Sequence, residues 1–182
     1  SDDGTSAAIS SWAATDKRVR LLVGKDNRGR GYARQRLLEA AQAHFVAWLD
    51  IDDRWHPQKL ALELSECVAR LRSGGCSFLI CSPYTQINLE SGTEKRVQIP
   101  VECDVSYYLR FAREKNPPFM VQASFGKSDE YRKLGFDESL NWSEDFDFFL
   151  RYLASGAKIY ALQSDVPLSY YFHTLVDKSP QL

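Results

Sequence analysis

The sequence predicts an α/β fold in which helices flank a largely parallel sheet. Segments with strand character alternate with segments of helical periodicity through the first half of the chain, the pattern of strand–helix–strand units. One strand segment, residues 45–49, is an unbroken apolar run, as expected for a strand covered on both faces. Apolar residues make up 44% of the chain and charged residues 26%, so the 182 residues fit one compact globular domain.

Apolar spacing and turn residues define the elements of the first half. In chain order they are a strand at 19–23, a helix at 32–43, a strand at 45–49, a helix at 57–71 and a strand at 77–84. The second helix has Pro57 in its first turn and ends at Gly74-Gly75. We expect its buried face to carry Leu60, Leu64, Cys67, Val68 and Leu71.

The second half begins with a short antiparallel excursion. Two polar–apolar alternations around Glu90–Thr93 predict a hairpin within residues 85–100. The elements that follow are a helix from Asp104 to about 114, a strand at 120–125, a helix at 128–134, a helix at 144–154 and a strand at 158–162. The first of these helices can be capped by Asp104, and Gly135 ends the second.

Overall composition disfavours several classes of protein. A formal net charge of −1 leaves no basic excess for binding nucleic acid. No apolar stretch approaches the roughly 20 residues of a membrane span. The sequence has no Cys-x-x-Cys pair, so we expect free thiols in a reducing, cytoplasmic compartment, with a peripheral position at a membrane still open. The four cysteines are Cys67, Cys76, Cys81 and Cys103.

The strongest local indication of chemistry is the acidic turn, Asp50-Ile51-Asp52-Asp53, which follows the strand at 45–49. Open α/β sheets bind ligands beyond the carboxyl ends of their strands, so these carboxylates are expected to face a crevice. Three carboxylates this close repel one another unless a cation or hydrogen-bond donors neutralise them. Mg²⁺ and Mn²⁺ favour such carboxylates together with substrate phosphate oxygens. The alternative is a solvated turn that happens to be acidic.

Other candidate residues are ambiguous when taken singly. Glu144 and Asp145 begin a predicted helix, where acids are common, and Asn141 has capping-box spacing to Glu144. His173 taken alone fits a surface or core position as well as a ligand. The loop 27–31 has glycines but lacks the lysine and hydroxyl residue of a phosphate-binding P-loop.

Taken in order, these segments resemble the family 2 glycosyltransferases of the GT-A type. The resemblance covers nearly the whole chain, because five family motifs occur in the family's order. They are Asp2-Asp3-Gly4-Thr5, the run from Asn27 to Arg34 that matches Asn-x-Gly-x-x-x-Ala-Arg, Leu49-Asp50-Ile51-Asp52-Asp53 followed by Pro57, Gly135-Phe136-Asp137-Glu138, and the Glu-Asp helix from Ser143 to Arg151.

The resemblance implies a fold and a reaction. It implies a GT-A-type, Rossmann-like domain over residues 1–182, with a nucleotide-sugar-binding half at 1–84 and an acceptor-binding half at 85–182. It also implies inverting hexosyl transfer from a nucleoside diphosphate sugar, commonly a uridine diphosphate (UDP) sugar. The acceptor would be a glycan, a lipid-linked molecule or another hydroxyl compound, as in polysaccharide biosynthesis, and a divalent cation, Mn²⁺ or Mg²⁺, would assist.

The resemblance also assigns roles to single residues. On the donor side, Asp52 would be the direct metal ligand, with His173 as a further ligand and Asp50 at the ribose or a metal-bound water. Donor contacts would also come from Asp3, Asn27 and Arg34. On the acceptor side, Asp145 would be the general base, and Glu144 would position the acceptor or support the loop. Trp142, just before this motif, would be either a sugar-stacking ring or a buried anchor.

Two departures from the family pattern leave other functions open. The family's first strand should precede Ser1, and Tyr171 stands where the family often has arginine. These departures favour a non-catalytic binding module, whereas the retained acids favour an enzyme. A nucleotidyltransferase would need a glycine-rich loop with a lysine, and a phosphatase would need a threonine after its nucleophilic aspartate. The sequence has neither.

Overall fold

The computed structural model describes residues 4–101, 103–113 and 118–174. Within these ranges the chain forms six α-helices, eight β-strands and a 3₁₀ turn at Val121–Ala123. The helices are α1 (Thr5–Thr15), α2 (Gly29–Ala40), α3 (Lys59–Arg72), α4 (Val105–Arg113), α5 (Ser128–Arg132) and α6 (Glu144–Ala154). The strands are β1 (Phe45–Ala47), β2 (Arg54–Trp55), β3 (Phe78–Cys81), β4 (Tyr84–Asn88), β5 (Glu94–Val97), β6 (Ser124–Lys127), β7 (Lys158–Ala161) and β8 (Ser169–His173).

The first sheet has the order β1-β6-β3-β7. Strands β1, β3 and β7 point the same way, in keeping with the predicted parallel character, but β6 runs antiparallel between β1 and β3. Among the described strands of this sheet, only the β3–β7 pair is therefore parallel by direct hydrogen bonding. The expectation of a largely parallel sheet is corrected to a mixed one, because a strand from the second half fills the gap between two strands of the first half.

The second sheet has the order β2-β8-β4-β5. Strands β4 and β5 form the predicted hairpin, in which Tyr84 pairs with Val97. Strand β8 lies parallel to β4 and antiparallel to β2, the short strand that follows the acidic turn. The second sheet thus brings the end of the described chain beside that turn.

The segment before α2 differs from the prediction. Residues 19–23 form no strand, and Leu22 and Val23 are 45% and 73% exposed. A β-rich run becomes a strand only where another strand pairs with it, and no described strand lies beside this one. Helix α1 begins at Thr5, the last residue of the first family motif, and has no buried residue.

Helix α3 faces the core differently from the prediction. Leu60 and Leu64 are 45% and 40% exposed, whereas Lys59 and Glu63 are fully buried and only Cys67 of the predicted face is fully buried. The Lys59 ammonium donates to Glu63 Oε1, and Ser82 Oγ donates to the same oxygen at 2.7 Å. Pairing and hydrogen bonding offset the cost of burying two charges, which hydrophobic periodicity alone does not reveal.

Aromatic packing fixes the position of α6. Phe148, Phe149 and Tyr152 are at most 1% exposed. The Phe148 ring stacks on Phe136 and Tyr131, with centroid separations of 5.0 and 5.4 Å. Stacked aromatic pairs add stability beyond their buried area, so the helix that begins at Glu144 is held firmly against α5 and the loop after it.

Candidate active site

The acidic turn lies at the carboxyl end of β1, as predicted. The Asp53 amide donates to Asp50 O at 3.1 Å and closes the turn. Asp53 is 8% exposed, and its Oδ1 accepts a hydrogen bond from the Phe172 amide at 3.1 Å. Asp52, in contrast, is exposed. The turn is therefore tied to β8 through Asp53 and presents Asp52 to solvent.

Asp53 is a site residue to which sequence reasoning assigned no role. Burial raises the pKa of its carboxyl to about 7, and the charges of Asp50 and Asp52 act in the same direction. The Phe172 hydrogen bond opposes that shift. Among the described residues, Asp53 Oδ2 is buried without a hydrogen-bond partner. The turn is thus a crowded group of acids that lacks full neutralisation by the protein.

Arg34 connects the acidic turn to the start of α6. Its Nη2 donates to both carboxylate oxygens of Asp50, at 3.1 and 2.9 Å, and its Nη1 donates to Glu144 Oε1. Arg34 is 6% exposed and Glu144 is 1% exposed, so the Arg34–Glu144 end of this bridge is shielded from water. Two of the sequence-predicted regions, which lie far apart in the chain, therefore meet at one guanidinium group.

The start of α6 has an unusual local structure. The residue before the helix, Ser143, has a left-handed conformation with φ 60°, and its side chain makes no capping hydrogen bond. The capping box expected from Asn141 and Glu144 therefore does not form. Burial raises the pKa of the Glu144 carboxyl, and the charge of Arg34 opposes that rise. Among the described residues, Glu144 Oε2 is buried without a partner.

Asp145 lies on the same side of the molecule as the acidic turn. Burial acts to lower the pKa of Arg34, but the charges of the nearby carboxylates raise it overall. Those carboxylates are Asp50, Glu144 and Asp145. Asp145 is partly exposed, and its Oδ1 accepts a hydrogen bond from the Phe146 amide at 2.8 Å. An accessible carboxylate thus lies close to the Asp50–Arg34 pair.

Trp142 and Arg30 form an exposed pair beside Glu144. The Arg30 guanidinium lies 4.6 Å from the centroid of the Trp142 ring, and Arg30 Nε lies 3.6 Å from Glu144 Oε1. Trp142 is 41% exposed, which leaves its ring accessible and excludes the alternative of a buried anchor. Arg30 was not among the predicted site residues; its only signal in the sequence was its place in the glycine-containing loop.

Asn27 and two glycines shape the start of α2. Asn27 Oδ1 accepts a hydrogen bond from the Gly29 amide at 3.1 Å and so orders the turn into the helix. A Cβ on Gly31 would lie 2.2 Å from Asp137 O and 2.8 Å from Leu140 O. Glycine at this position allows α2 to pack directly against the loop that leads into α6.

We expect Gly31→Ala to lower the free energy of unfolding by about 2 kcal/mol, because the added methyl group meets backbone oxygens. The steric cost of the methyl group should therefore exceed the roughly 1 kcal/mol that alanine gains over glycine in a helix. Urea denaturation followed by circular dichroism measures it. Gly24→Ala is the control, since its nearest contact would be Asp26 O at 3.5 Å, and it should change stability by less than about 0.5 kcal/mol. Equal stability of the two variants would contradict the packing argument.

His173 ends β8 near the acidic turn. It follows Phe172, whose amide is bound by Asp53, and its own carbonyl oxygen accepts from the Leu89 amide at 2.9 Å. The His173 ring stacks on Tyr171 with centroids 5.6 Å apart. Tyr171, which occupies the family's arginine position, thus supports the histidine. Asp3, the remaining predicted donor contact, lies outside the described residues.

The donor set suits a cation that is shared with a phosphate ligand. Within the described ranges, no group of three or more histidine, cysteine, aspartate or glutamate side chains is arranged to hold a metal alone. Mg²⁺ is usually held by one or two carboxylates plus substrate phosphates, so a three-residue cage is not required. Exposed Asp52, with His173 on the adjoining strand, fits that smaller requirement. Among the described residues, Asp53 Oδ2 is buried without a hydrogen-bond partner, so the turn has a buried oxygen whose hydrogen-bonding capacity the protein leaves unused.

Several known proteins are similar to this chain in sequence. The family model described as glycosyl transferase family 2 matches residues 1–133. The putative teichuronic acid biosynthesis glycosyltransferase TuaG of Bacillus subtilis is 35% identical over 78 residues, 43% of this chain and 29% of that protein. The succinoglycan biosynthesis protein ExoO of Rhizobium meliloti is 26% identical over 166 residues, 87% of this chain and 46% of that protein. The chain thus spans less than half the length of these two relatives.

Solved structures show the same fold. The crystal structure of S. aureus TarS 1-349 in complex with UDP-GlcNAc superposes with a TM-score of 0.66 at 19% identity, covering 95% of this chain and 47% of that chain. The uncomplexed TarS 1-349 structure also gives a TM-score of 0.66. The predicted GT-A fold is confirmed. In the parts of the chain that the structure describes, no helix has the length and apolar character needed to cross a membrane.

Proposed function

The chain belongs to glycosyl transferase family 2, and from that premise we propose that it transfers a hexosyl group from a UDP-sugar to an acceptor hydroxyl, with inversion at the anomeric carbon. The observation that carries the proposal is the Arg34 bridge between Asp50 and Glu144. Family enzymes need a donor site and a catalytic base at one cleft, and this bridge joins the segments that would supply them. The UDP-GlcNAc bound to TarS supports the choice of donor.

The donor would bind at the acidic turn. The Asp50 side chain is 34% exposed and Asp52 more so, which leaves both within reach of a ligand. We assign Asp50 to the ribose or to a metal-bound water, and Asp3 and Asn27 to further donor contacts. Residues 1–84 would thus form the nucleotide-sugar half of the domain.

Asp52 and His173 would hold a Mn²⁺ or Mg²⁺ ion together with the donor diphosphate. Such an ion supplies positive charge that neutralises the departing diphosphate. The protein's own part is to keep the acidic turn in place, which the Asp53–Phe172 hydrogen bond does by fixing the turn against β8.

Asp145 would act as the general base. As the acceptor oxygen attacks the anomeric carbon, Asp145 takes the hydroxyl proton, and the bond from that carbon to the diphosphate oxygen breaks. Attack from the face opposite the leaving group inverts the anomeric configuration. Asp145 is partly exposed, as a base that meets an acceptor must be.

The acceptor would bind along residues 85–182, beside the start of α6. An exposed aromatic ring next to a candidate base is suited to stacking on a sugar, and Trp142 meets that description. Glu144 is buried and bound to Arg34, so we assign it to support of the loop and helix start. The printed names of TuaG and ExoO favour a glycan or a lipid-linked glycan precursor as acceptor.

A panel of UDP-sugars with Mn²⁺ and glycan acceptors tests the proposal. We expect UDP release that depends on Mn²⁺ and on one sugar, and an NMR spectrum of the product that shows the inverted anomer. A retained anomer would refute inversion. Absence of UDP release across the panel, with UDP binding intact, would instead support a non-catalytic module.

A further inference from the structure

We propose that Arg34 is a positioning residue: it holds the start of α6, and with it Asp145, in fixed relation to Asp50, and it does not contact the donor. This inference rests on the proposed function. It also departs from the expectation that the family resemblance gave, in which Arg34 belonged to the donor-binding residues.

The hydrogen bonds of Arg34 carry the inference. One end of the guanidinium donates to both Asp50 oxygens, at 3.1 and 2.9 Å, and the other end donates to Glu144 Oε1. A planar guanidinium presents its donors in a rigid fork, so the two carboxylates are held at a set separation. With Arg34 only 6% exposed, little of its surface is left for a phosphate or a sugar.

The residue before α6 does not cap the helix, so the contact of Glu144 with Arg34 gives the helix start a buried side-chain anchor. Ser143 has a left-handed backbone and makes no capping hydrogen bond through its side chain. The contact from Glu144 to Arg34 is buried, whereas the second contact of Glu144, to Arg30 at 3.6 Å, involves a side chain that is 50% exposed. Since Asp145 is the next residue along the chain, a shift of Glu144 moves the candidate base.

Lysine at position 34 separates positioning from simple charge neutralisation. It keeps the positive charge near Asp50 and Glu144, but its single ammonium group cannot reproduce a fork that reaches both carboxylates. A misplacement of about 1 Å in a reacting group can cost about 100-fold in rate. Removal of the charge itself would leave buried Glu144 unpaired and risks unfolding, which makes lysine the more informative change.

The experiment compares Arg34→Lys with Arg36→Lys by transfer kinetics and UDP calorimetry. Arg36 lies on the same helix and pairs with Glu39 and Glu138, away from the acidic turn. We expect Arg34→Lys to lower kcat by about 10–100-fold, with the Kd for UDP and Mn²⁺ changed less than about 3-fold, and Arg36→Lys to change neither. A Kd raised 10-fold or more, with kcat at saturating donor unchanged, would assign Arg34 to the donor and overturn the proposal.

A double variant tests whether Arg34 acts through Glu144. If the two residues act as one unit, Arg34→Lys with Glu144→Gln should be no slower than the more damaging single variant, because effects within a unit are not additive. Rate losses that multiply would show independent roles and would also overturn the proposal. Thermal unfolding of each variant identifies any loss that comes from instability alone.

Hydrogen exchange supplies a reading that does not depend on activity. The Asp147 amide, which donates to Ser143 O at 3.0 Å, begins the hydrogen bonding of α6. We expect the exchange of amides in this first turn to be faster in Arg34→Lys than in wild type or Arg36→Lys. Unchanged exchange would refute the positioning role. If the protein transfers no sugar, the proposed function is wrong. The hydrogen-exchange measurement would still decide the role of Arg34.

Discussion

Replacing Asp145 by asparagine is expected to lower kcat for sugar transfer by about 10²–10⁴-fold, the usual contribution of a general base. Asparagine keeps the shape and one oxygen of the side chain, and it can still accept the hydrogen bond that Asp145 takes from the Phe146 amide. It cannot take a proton from an acceptor hydroxyl. Stability should change by no more than about 1 kcal/mol, the value of an acid in a first helical turn.

Asp147→Asn is the matched control for Asp145→Asn. Asp147 lies in the same helical turn, but its Oδ2 pairs with Arg151 at 2.6 Å, so its carboxylate is already engaged. We expect the control to lose less than about 3-fold in rate. Its carboxylate is engaged with Arg151, and loss of this partly exposed ion pair should lower stability by only about 0–1 kcal/mol. If both variants lose rate equally, or if folded Asp145→Asn transfers at the wild-type rate, Asp145 is not the base.

Replacing Asp52 by alanine is expected to weaken Mn²⁺-dependent UDP binding by about 10²–10³-fold. A metal ion stabilises the negative charge of phosphate oxygens by several kcal/mol, and this contribution is lost with the ion. Asp52 lies on the exposed surface of the acidic turn, so its removal leaves no cavity. The closing hydrogen bond of the turn, from the Asp53 amide to Asp50 O, involves backbone atoms only and should persist. Calorimetric titration of UDP with and without Mn²⁺ measures the effect.

The control for Asp52 is Asp165→Ala, which removes another exposed acid, from the loop between β7 and β8. It should bind UDP as wild type does at every Mn²⁺ concentration. Without metal, wild type and Asp52→Ala should bind UDP with similar, weak affinity. An Asp52→Ala protein that keeps the full Mn²⁺ enhancement would remove Asp52 from the metal site.

Most helices were predictable because each carries local signals. The prediction of 128–134 closed by Gly135 matches α5, and Gly135 has φ 62°, a backbone conformation that favours glycine. The prediction of 144–154 matches α6 in full. Strand neighbours could not be predicted in the same way, because pairing depends on segments distant in the chain. The run at 19–23 has β-forming residues but no described partner strand.

The candidate site was predictable in its acids and not in its connections. The acidic turn and the Glu-Asp pair are visible as motifs, and the structure joins them through Arg34. The burial of Asp53 could not be predicted from the sequence, since it depends on the packing of the turn against Phe172, which is far away in sequence. The exposed Arg30–Trp142 contact depends likewise on how α2 packs against the loop before α6.

The antiparallel strand β6 affects the order in which the chain can fold during synthesis. Phe45 of β1 is paired with Lys127 of β6, and β6 also lies between β1 and β3. During synthesis the ribosome therefore releases the acidic turn long before the strand that secures its base has emerged. Such high contact order slows folding and leaves apolar strand edges open to aggregation in the meantime. A nascent chain that stops short of β6 would carry the acidic turn without the strand that secures its base, and we expect it to need chaperones.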